Sequence, residues 1–121
     1  ASVVSRITAV LAPIEQLKVD YARKVLRKRK RNEQEIDILF EYFKPYSFFK
    51  DLTMNFTMEG KRKFLRAMRY REFPLGSYIF KQGDKSDAAF IIFQGTVAIV
   101  QEKHEREEVL NVLYKGSSFG E

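Results

Sequence analysis

Few side chains in this 121-residue sequence have the chemistry that catalysis or metal binding requires. The only histidine is His104, and there is no cysteine. A cysteine nucleophile, a thiolate metal site and a disulfide scaffold are therefore excluded, and a site that needs several histidines cannot form. Because charged residues surround His104, we expect it in a solvated hairpin turn. We predict a binding protein rather than an enzyme, with no catalytic residue, no metal and no cofactor.

The most concentrated charge is a basic run at residues 23–31, which reads RKVLRKRKR and contains 7 cations and no acid. Taking these 7 from the 22 basic residues leaves 15, against 16 acidic residues. The net charge of +6 is therefore local, and direct nucleic-acid binding by the chain as a whole is not indicated. We interpret the run as the solvated part of an amphipathic helix that lies on a partner. A nuclear-localisation, acidic-lipid or nucleic-acid patch is the alternative.

Apolar spacing predicts helices in the first half of the chain. The first helix is predicted from four residues that recur every three or four positions: Ile14, Leu17, Tyr21 and Val25. Asn32, with Glu35 three residues later, predicts a capped second helix that Pro45 ends. A third helix is predicted at 57–69, with three inward-facing residues: Phe64, Leu65 and Met68.

After Arg69 the pattern changes to short β-branched or aromatic runs separated by glycines, which predicts antiparallel strands. Strand residues are expected within 70–80 and at 90–93, 96–101 and 109–114, with an exposed turn at 102–108. The predicted fold class is α+β, with N-terminal helices before an antiparallel, jelly-roll-like β-roll that is incomplete at the C-terminus. The predicted segments are a basic amphipathic helical segment at 1–31, a helical lead-in at 32–69 and the first part of the roll at 70–121.

A resemblance to a known family rests on residues 73–97, which read FPLGSYIFKQGDKSDAAFIIFQGTV. This string resembles the cyclic nucleotide-binding domain of kinase regulatory subunits, cyclic-nucleotide-gated channels and the bacterial catabolite activator. Residues 116–121, GSSFGE, resemble the start of that family's phosphate-binding cassette, so the resemblance covers about 43–121 and stops within the cassette. The positions that match as structural turns are Gly76, Gly83, Asp84, Asp87, Gly95 and Gly116.

The resemblance implies a ligand site in the roll. Phe119, Gly120 and Glu121 would lie at the cyclic phosphate and ribose, where backbone N–H groups bind phosphate and the carboxylate accepts the ribose 2′-hydroxyl. An apolar wall against the ligand would come from the strand residues Val97, Ile99 and Val112. The family also carries an arginine further along the cassette that pairs with the cyclic phosphate, and the resemblance leaves open whether one follows Glu121.

The resulting functional prediction is a regulatory module that binds cyclic AMP or cyclic GMP and couples binding to movement of the flanking helices. The expected partners are the cyclic nucleotide and a protein effector or the remainder of a larger chain. The alternative is a β-roll scaffold that binds no nucleotide and docks partners through the N-terminal basic helix. No apolar run approaches the ~20 residues of a membrane span, and we expect a cytoplasmic location.

Overall fold

The computed structural model describes residues 14–81, 83–84 and 89–120. Within them, four helices precede four antiparallel strands, so the α+β prediction is confirmed. The helices are α1 (Ile14–Leu26), α2 (Glu33–Phe43), α3 (Ser47–Thr53) and α4 (Met58–Ala67). The strands are β1 (Phe90–Ile91), β2 (Val97–Lys103), β3 (Arg106–Leu113) and β4 (Ser118–Phe119).

The described residues form two compact units. We call residues up to 45 together with 53–72 the helical unit, and 46–52 together with the residues from 73 onward the strand unit. In the helical unit α1 packs against α2, and α2 packs against α4. The buried residues of this unit are Val19, Ala22, Val25, Leu26, Arg31, Ile36, Leu39, Phe43, Thr53 and Leu65.

The first predicted helix is present, but most of its predicted apolar stripe is exposed. Of the four residues that define the stripe, only Val25 is buried, whereas Ile14, Leu17 and Tyr21 are at least half exposed. The helix instead packs through Val19, Ala22, Val25 and Leu26. Small and β-branched residues allow the close approach to α2, and the stripe of larger residues lies on another side of the helix.

The start of α2 confirms the predicted capping box. The Asn32 side chain accepts a hydrogen bond from the Glu35 backbone N–H at 2.8 Å, and the Glu35 carboxylate accepts one from the Asn32 N–H at 3.0 Å. Lys28 also bonds the Glu35 carboxylate at 2.6 Å. The hydrogen bond from Lys28 and then that from the Asn32 backbone hold the pKa of Glu35 below its usual value.

A cluster of charges joins the first turn of α2 to α4. The guanidinium of Arg62 bonds Asp37 at 2.6 Å and the Glu33 carboxylate, which Arg66 also contacts. Hydrogen bonds from Arg62 and then Arg66 hold the pKa of Glu33 below its usual value. The helix dipole of α2 favours the same charge, because Glu33 lies at its positive end.

Arg31 is the one buried cation among the residues that the structure describes, with 6% exposure. Its guanidinium donates to the carbonyl oxygens of Val25 and Leu26 in the last turn of α1. It also donates to the carbonyl oxygens of three residues at the end of α4: Leu65, Arg66 and Met68. One side chain therefore satisfies free carbonyls at the C-terminal ends of two helices, where a positive charge is also favoured by both dipoles.

The strands form two separate two-stranded sheets, β1–β4 and β2–β3. No strand lies within 70–80, although strand residues were predicted there. Pro74 offers no N–H to a ladder, and its carbonyl accepts from the Ser77 backbone N–H at 3.1 Å and the Ser77 hydroxyl at 2.6 Å. The aromatic and β-branched residues of this stretch therefore flank a turn instead of pairing with a strand.

Candidate functional site

Strand β4 is held in place by aromatic packing. Phe119 pairs with Phe90 across the β1–β4 sheet, and their rings stack with centroids 5.2 Å apart. Phe80 completes the cluster, with its centroid 6.0 Å from each of the other two rings. The side chain of Phe119 therefore packs on its neighbours, which fixes the backbone that leads into Gly120.

A tight turn precedes β4 and is bonded to the end of β1. The Gly116 N–H donates to the Ile92 carbonyl at 2.8 Å, and the Ile92 N–H donates to the Ser117 carbonyl at 2.9 Å. Gly116 has φ +90°, and a Cβ there would lie 3.0 Å from Cδ1 of Tyr46. Any other residue would be strained and would press on the Tyr46 ring. The turn thus depends on glycine, and Tyr46 covers it.

The segment that resembles a phosphate-binding cassette leaves β4 through a second left-handed glycine. Gly120 has φ +79° and is half-buried, as are Ser118 and Phe119. A glycine in this conformation lets a ligand approach its backbone N–H without obstruction from a Cβ. Glu121, predicted to accept the ribose hydroxyl, lies outside the described residues, and its role stays a prediction.

The register of the β2–β3 hairpin separates the three predicted wall residues. Val97 is opposite Leu113 and Ala98 is opposite Val112. Because opposite residues share a face and successive residues alternate, Val97 and Ile99 lie on one face of the hairpin and Val112 lies on the other. A ligand against one face contacts Val97 and Ile99 or Val112, but not all three.

The hairpin turn is shorter than predicted. His104 and Glu105 form it with positive φ of 54° and 62°, and the ladder continues to the pair Lys103 and Arg106. Positive φ at both central residues is the hairpin geometry that matches strand twist. The charged residues predicted as a long turn are thus largely strand, and His104 is exposed in the turn itself.

The remaining predicted turn residues lie in loops. Gly76, Gly83 and Gly95 have φ of 82°, 91° and 93°. The Asp84 carboxylate accepts from the Lys81 backbone N–H at 2.9 Å, while the Asp84 N–H donates to the Lys81 carbonyl at 3.0 Å. Asp87 lies outside the described residues.

The basic run is only partly a solvated surface. Arg31 is buried, Arg27 pairs with Glu72, and Lys28 pairs with Glu35. Within the described part of the chain, Arg29 and Lys30 make neither a hydrogen bond nor an ion pair. Sequence reasoning missed the role of Arg31, because nothing in a run of cations distinguishes the buried one. It also missed Tyr46, whose partner Gly116 is 70 residues away.

Neither a metal centre nor a membrane span is present among the residues described. No group of three or more histidine, cysteine or acidic residues there is arranged to hold a metal ion. Each described helix is too short or too polar to cross a bilayer.

Comparison with known proteins agrees with the geometry of the strand unit. Residues 70–121 match the family model of the cyclic nucleotide-binding domain. No curated protein and no solved structure matches the chain. The matched residues include the turns at Gly76, Gly83 and Gly95 and the two glycines that flank β4, Gly116 and Gly120. Residues 70–121 are therefore similar in sequence to the cyclic nucleotide-binding domain, and the match is consistent with such a domain in this part of the chain.

Proposed function

We propose that this protein is a regulatory module that binds cyclic AMP or cyclic GMP at residues 116–121 and transmits occupancy to helix α3. The observation that carries the proposal is the family match over 70–121. It is supported by the two left-handed glycines on either side of β4, which shape a backbone that a phosphate can approach closely.

The proposed contacts follow from the residue types in this segment. The Gly120 N–H donates to the cyclic phosphate, and the Glu121 carboxylate accepts from the ribose 2′-hydroxyl. Hydrogen bonds to charged groups contribute about 1.5–3 kcal/mol each, so these two give specificity for a cyclic ribose phosphate. The apolar contact comes from one hairpin face, with Val97 and Ile99 on one side and Val112 on the other as the alternatives.

The contact between Tyr46 and Gly116 supports a coupling route. The Tyr46 ring lies against the turn that begins the proposed phosphate-binding segment. The carbonyl of Tyr46 accepts from the Phe49 and Lys50 N–H groups at 3.1 and 3.2 Å, so Tyr46 also begins α3. A ligand that shifts residues 116–120 therefore displaces the residue on which this helix starts. Typical coupling free energies between two sites are about 1–3 kcal/mol.

Isothermal titration of the chain with cyclic AMP and with cyclic GMP tests the proposal and decides which nucleotide is preferred. Glu121→Ala should weaken binding about 10-fold or more, because it removes one charge-assisted hydrogen bond. Glu105→Ala, an exposed acid in the hairpin turn, is the matched control and should leave affinity unchanged. The absence of binding to either nucleotide at millimolar concentration would refute the proposal and favour the scaffold alternative.

Coupling is tested separately with Tyr46→Ala. If the ring transmits occupancy, hydrogen exchange of α3 slows on nucleotide addition in the wild type and changes less in Tyr46→Ala, while nucleotide still binds. Equal protection of α3 in both proteins would exclude Tyr46 as the route.

A further inference from the structure

Five of the six residues around an open hollow in the helical unit are arginines or lysines. It has a volume of about 550 Å³ and its lining residues are Arg29, Lys30, Arg31, Lys63, Arg66 and Ala67. No acidic residue lines it. Small-molecule sites in proteins have volumes of about 300–1,000 Å³, so the hollow has room for a ligand of that size.

The hollow exists because Arg31 joins two helix ends. Its hydrogen bonds to Val25 and Leu26 and to the carbonyls at the end of α4 bring the α1–α2 connection beside the last turns of α4. The connection supplies Arg29 and Lys30 to the rim. All of the N–H groups of Arg31 point at carbonyl oxygens, so this residue builds the hollow but does not offer donors to a ligand.

The rim cations differ in how far they are already compensated. Arg66 is bonded to Glu33, and Lys63 is 3.8 Å from Glu59 across an exposed pair. Arg29 and Lys30 are exposed and have no ion pair within the described residues. Arg29 and Lys30 are therefore uncompensated. Beside them, Lys63 and Arg66 can exchange their exposed carboxylate partners for another anion, since exposed ion pairs contribute little to stability.

We propose that this hollow binds a compact, multiply phosphorylated anion. A ligand with several phosphates in a small volume can contact the cations of residues 29–30 and those of α4, Lys63 and Arg66, at the same time. A single carboxylate cannot reach both groups. Arginine contacts phosphate oxygens in pairs and lysine binds them as a point charge. An extended nucleic acid fits less well, because without the 5 cations of the hollow the 22 basic residues fall to 17, against 16 acidic ones, which leaves no broad excess of positive charge.

The test uses inorganic tripolyphosphate as a free probe and phosphatidylcholine vesicles with a minor fraction of phosphatidylinositol bisphosphate as a lipid probe. Phosphatidylserine vesicles of equal surface charge are the comparison. Binding of tripolyphosphate would show that a free polyphosphate is sufficient to occupy the hollow and that no lipid is required. Binding only to the phosphoinositide vesicles identifies a lipid headgroup as the source of the phosphates. Failure of both probes at low salt, or equal binding to both vesicle types, would overturn the proposal.

Two variants locate the site. Arg29→Ala with Lys30→Ala, and separately Lys63→Ala, remove rim cations from different chain segments. Because hydrogen bonds to ionised groups are the strong ones, the double variant should raise Kd about 10-fold or more. The matched control is Lys103→Ala with Arg106→Ala, which removes the same charges from the exposed hairpin. An equal loss in the control would show that net charge alone binds the probe and would overturn the proposal. Circular dichroism checks that each variant is folded.

Discussion

The hydrogen bonds of Arg31 give the sharpest prediction for stability. Its guanidinium has five N–H donors, and five donor–acceptor pairs of 2.8–3.2 Å join it to carbonyls at the ends of α1 and α4. Arg31→Lys keeps the charge and much of the side-chain volume but offers only three donors on one atom. At least two of the five carbonyls then lose their donor.

The expected magnitude follows from these contacts. An unsatisfied buried polar group costs about 1–3 kcal/mol, so the loss of two donors in Arg31→Lys should lower the free energy of unfolding of the helical unit by about 2–6 kcal/mol. Arg31→Ala removes all five donors and should cost more than Arg31→Lys. Total stabilities are about 5–15 kcal/mol, so the alanine variant is expected to be near the limit of folding. The lysine variant is therefore the informative one.

Urea unfolding followed by circular dichroism at 222 nm reports on the helices. For a slope of about 2 kcal/mol per molar urea, the Arg31→Lys midpoint should fall by about 1–3 M. Arg29→Lys, two residues away and exposed, is the matched control and should change stability by less than about 0.5 kcal/mol. The deficit of Arg31→Lys should persist at high salt, because buried contacts are screened little. Equal midpoints for the two lysine variants would refute the role of Arg31.

Three further predictions concern the strand unit and the start of α2. Gly116→Ala should cost more stability than Gly95→Ala. Both glycines have positive φ, so alanine at either position costs about 1–2 kcal/mol of backbone strain, but only a Cβ at Gly116 would contact the Tyr46 ring. Glu33→Gln should destabilise the protein at neutral pH, and the difference should shrink as the pH falls below 4.5, the ordinary pKa of a glutamate. The pKa of Glu33 is depressed in the folded protein, so its stabilisation is lost as the pH falls through the folded-state pKa. Asn32→Ala should cost about 1 kcal/mol through loss of the cap.

Each of these has a direct measurement. The glycine variants are compared by thermal unfolding. Adding Tyr46→Ala to Gly116→Ala should recover the part of the lost stability that is due to the clash with the ring. No recovery would mean that the Tyr46 ring does not contribute to the loss. The Glu33 variant is compared with the wild type by urea unfolding from pH 7 to 3, where a constant difference would contradict the argument. For Asn32→Ala, an unchanged urea midpoint would show that the capping box contributes nothing.

Local features of this fold could be predicted from the sequence, and long-range ones could not. The capping box of Asn32 and Glu35 depends on three-residue spacing within one segment, so it was predictable. The α+β class followed from the change in period after Arg69. The buried face of α1 was not predictable, because Leu17 and Tyr21 are as apolar as Val19 and Ala22, and only the position of α2 decides which set is covered.

The same distinction applies to the candidate site. The residue types of the segment 116–121 and its glycines are visible in the sequence, and they carry the family resemblance. What holds the segment is contributed by distant residues: Phe80 and Phe90 pack on Phe119, and Tyr46 covers Gly116. These contacts depend on the β1–β4 register and the placement of α3, which no local pattern encodes.

The two anchors of this segment bear on regulation in different ways. The aromatic cluster holds β4 through ring packing of Phe80, Phe90 and Phe119. The Tyr46 contact joins the turn to a helix that continues along the chain to Thr53, which belongs to the helical unit. A ligand shifts an equilibrium only by its differential affinity for two states, so the moving contact must be one that can be made or broken. In the proposed coupling this is the contact between the Tyr46 ring and Gly116. The coupling proposed above therefore depends on the Tyr46 contact and not on the aromatic cluster, so Tyr46→Ala is the variant that tests it.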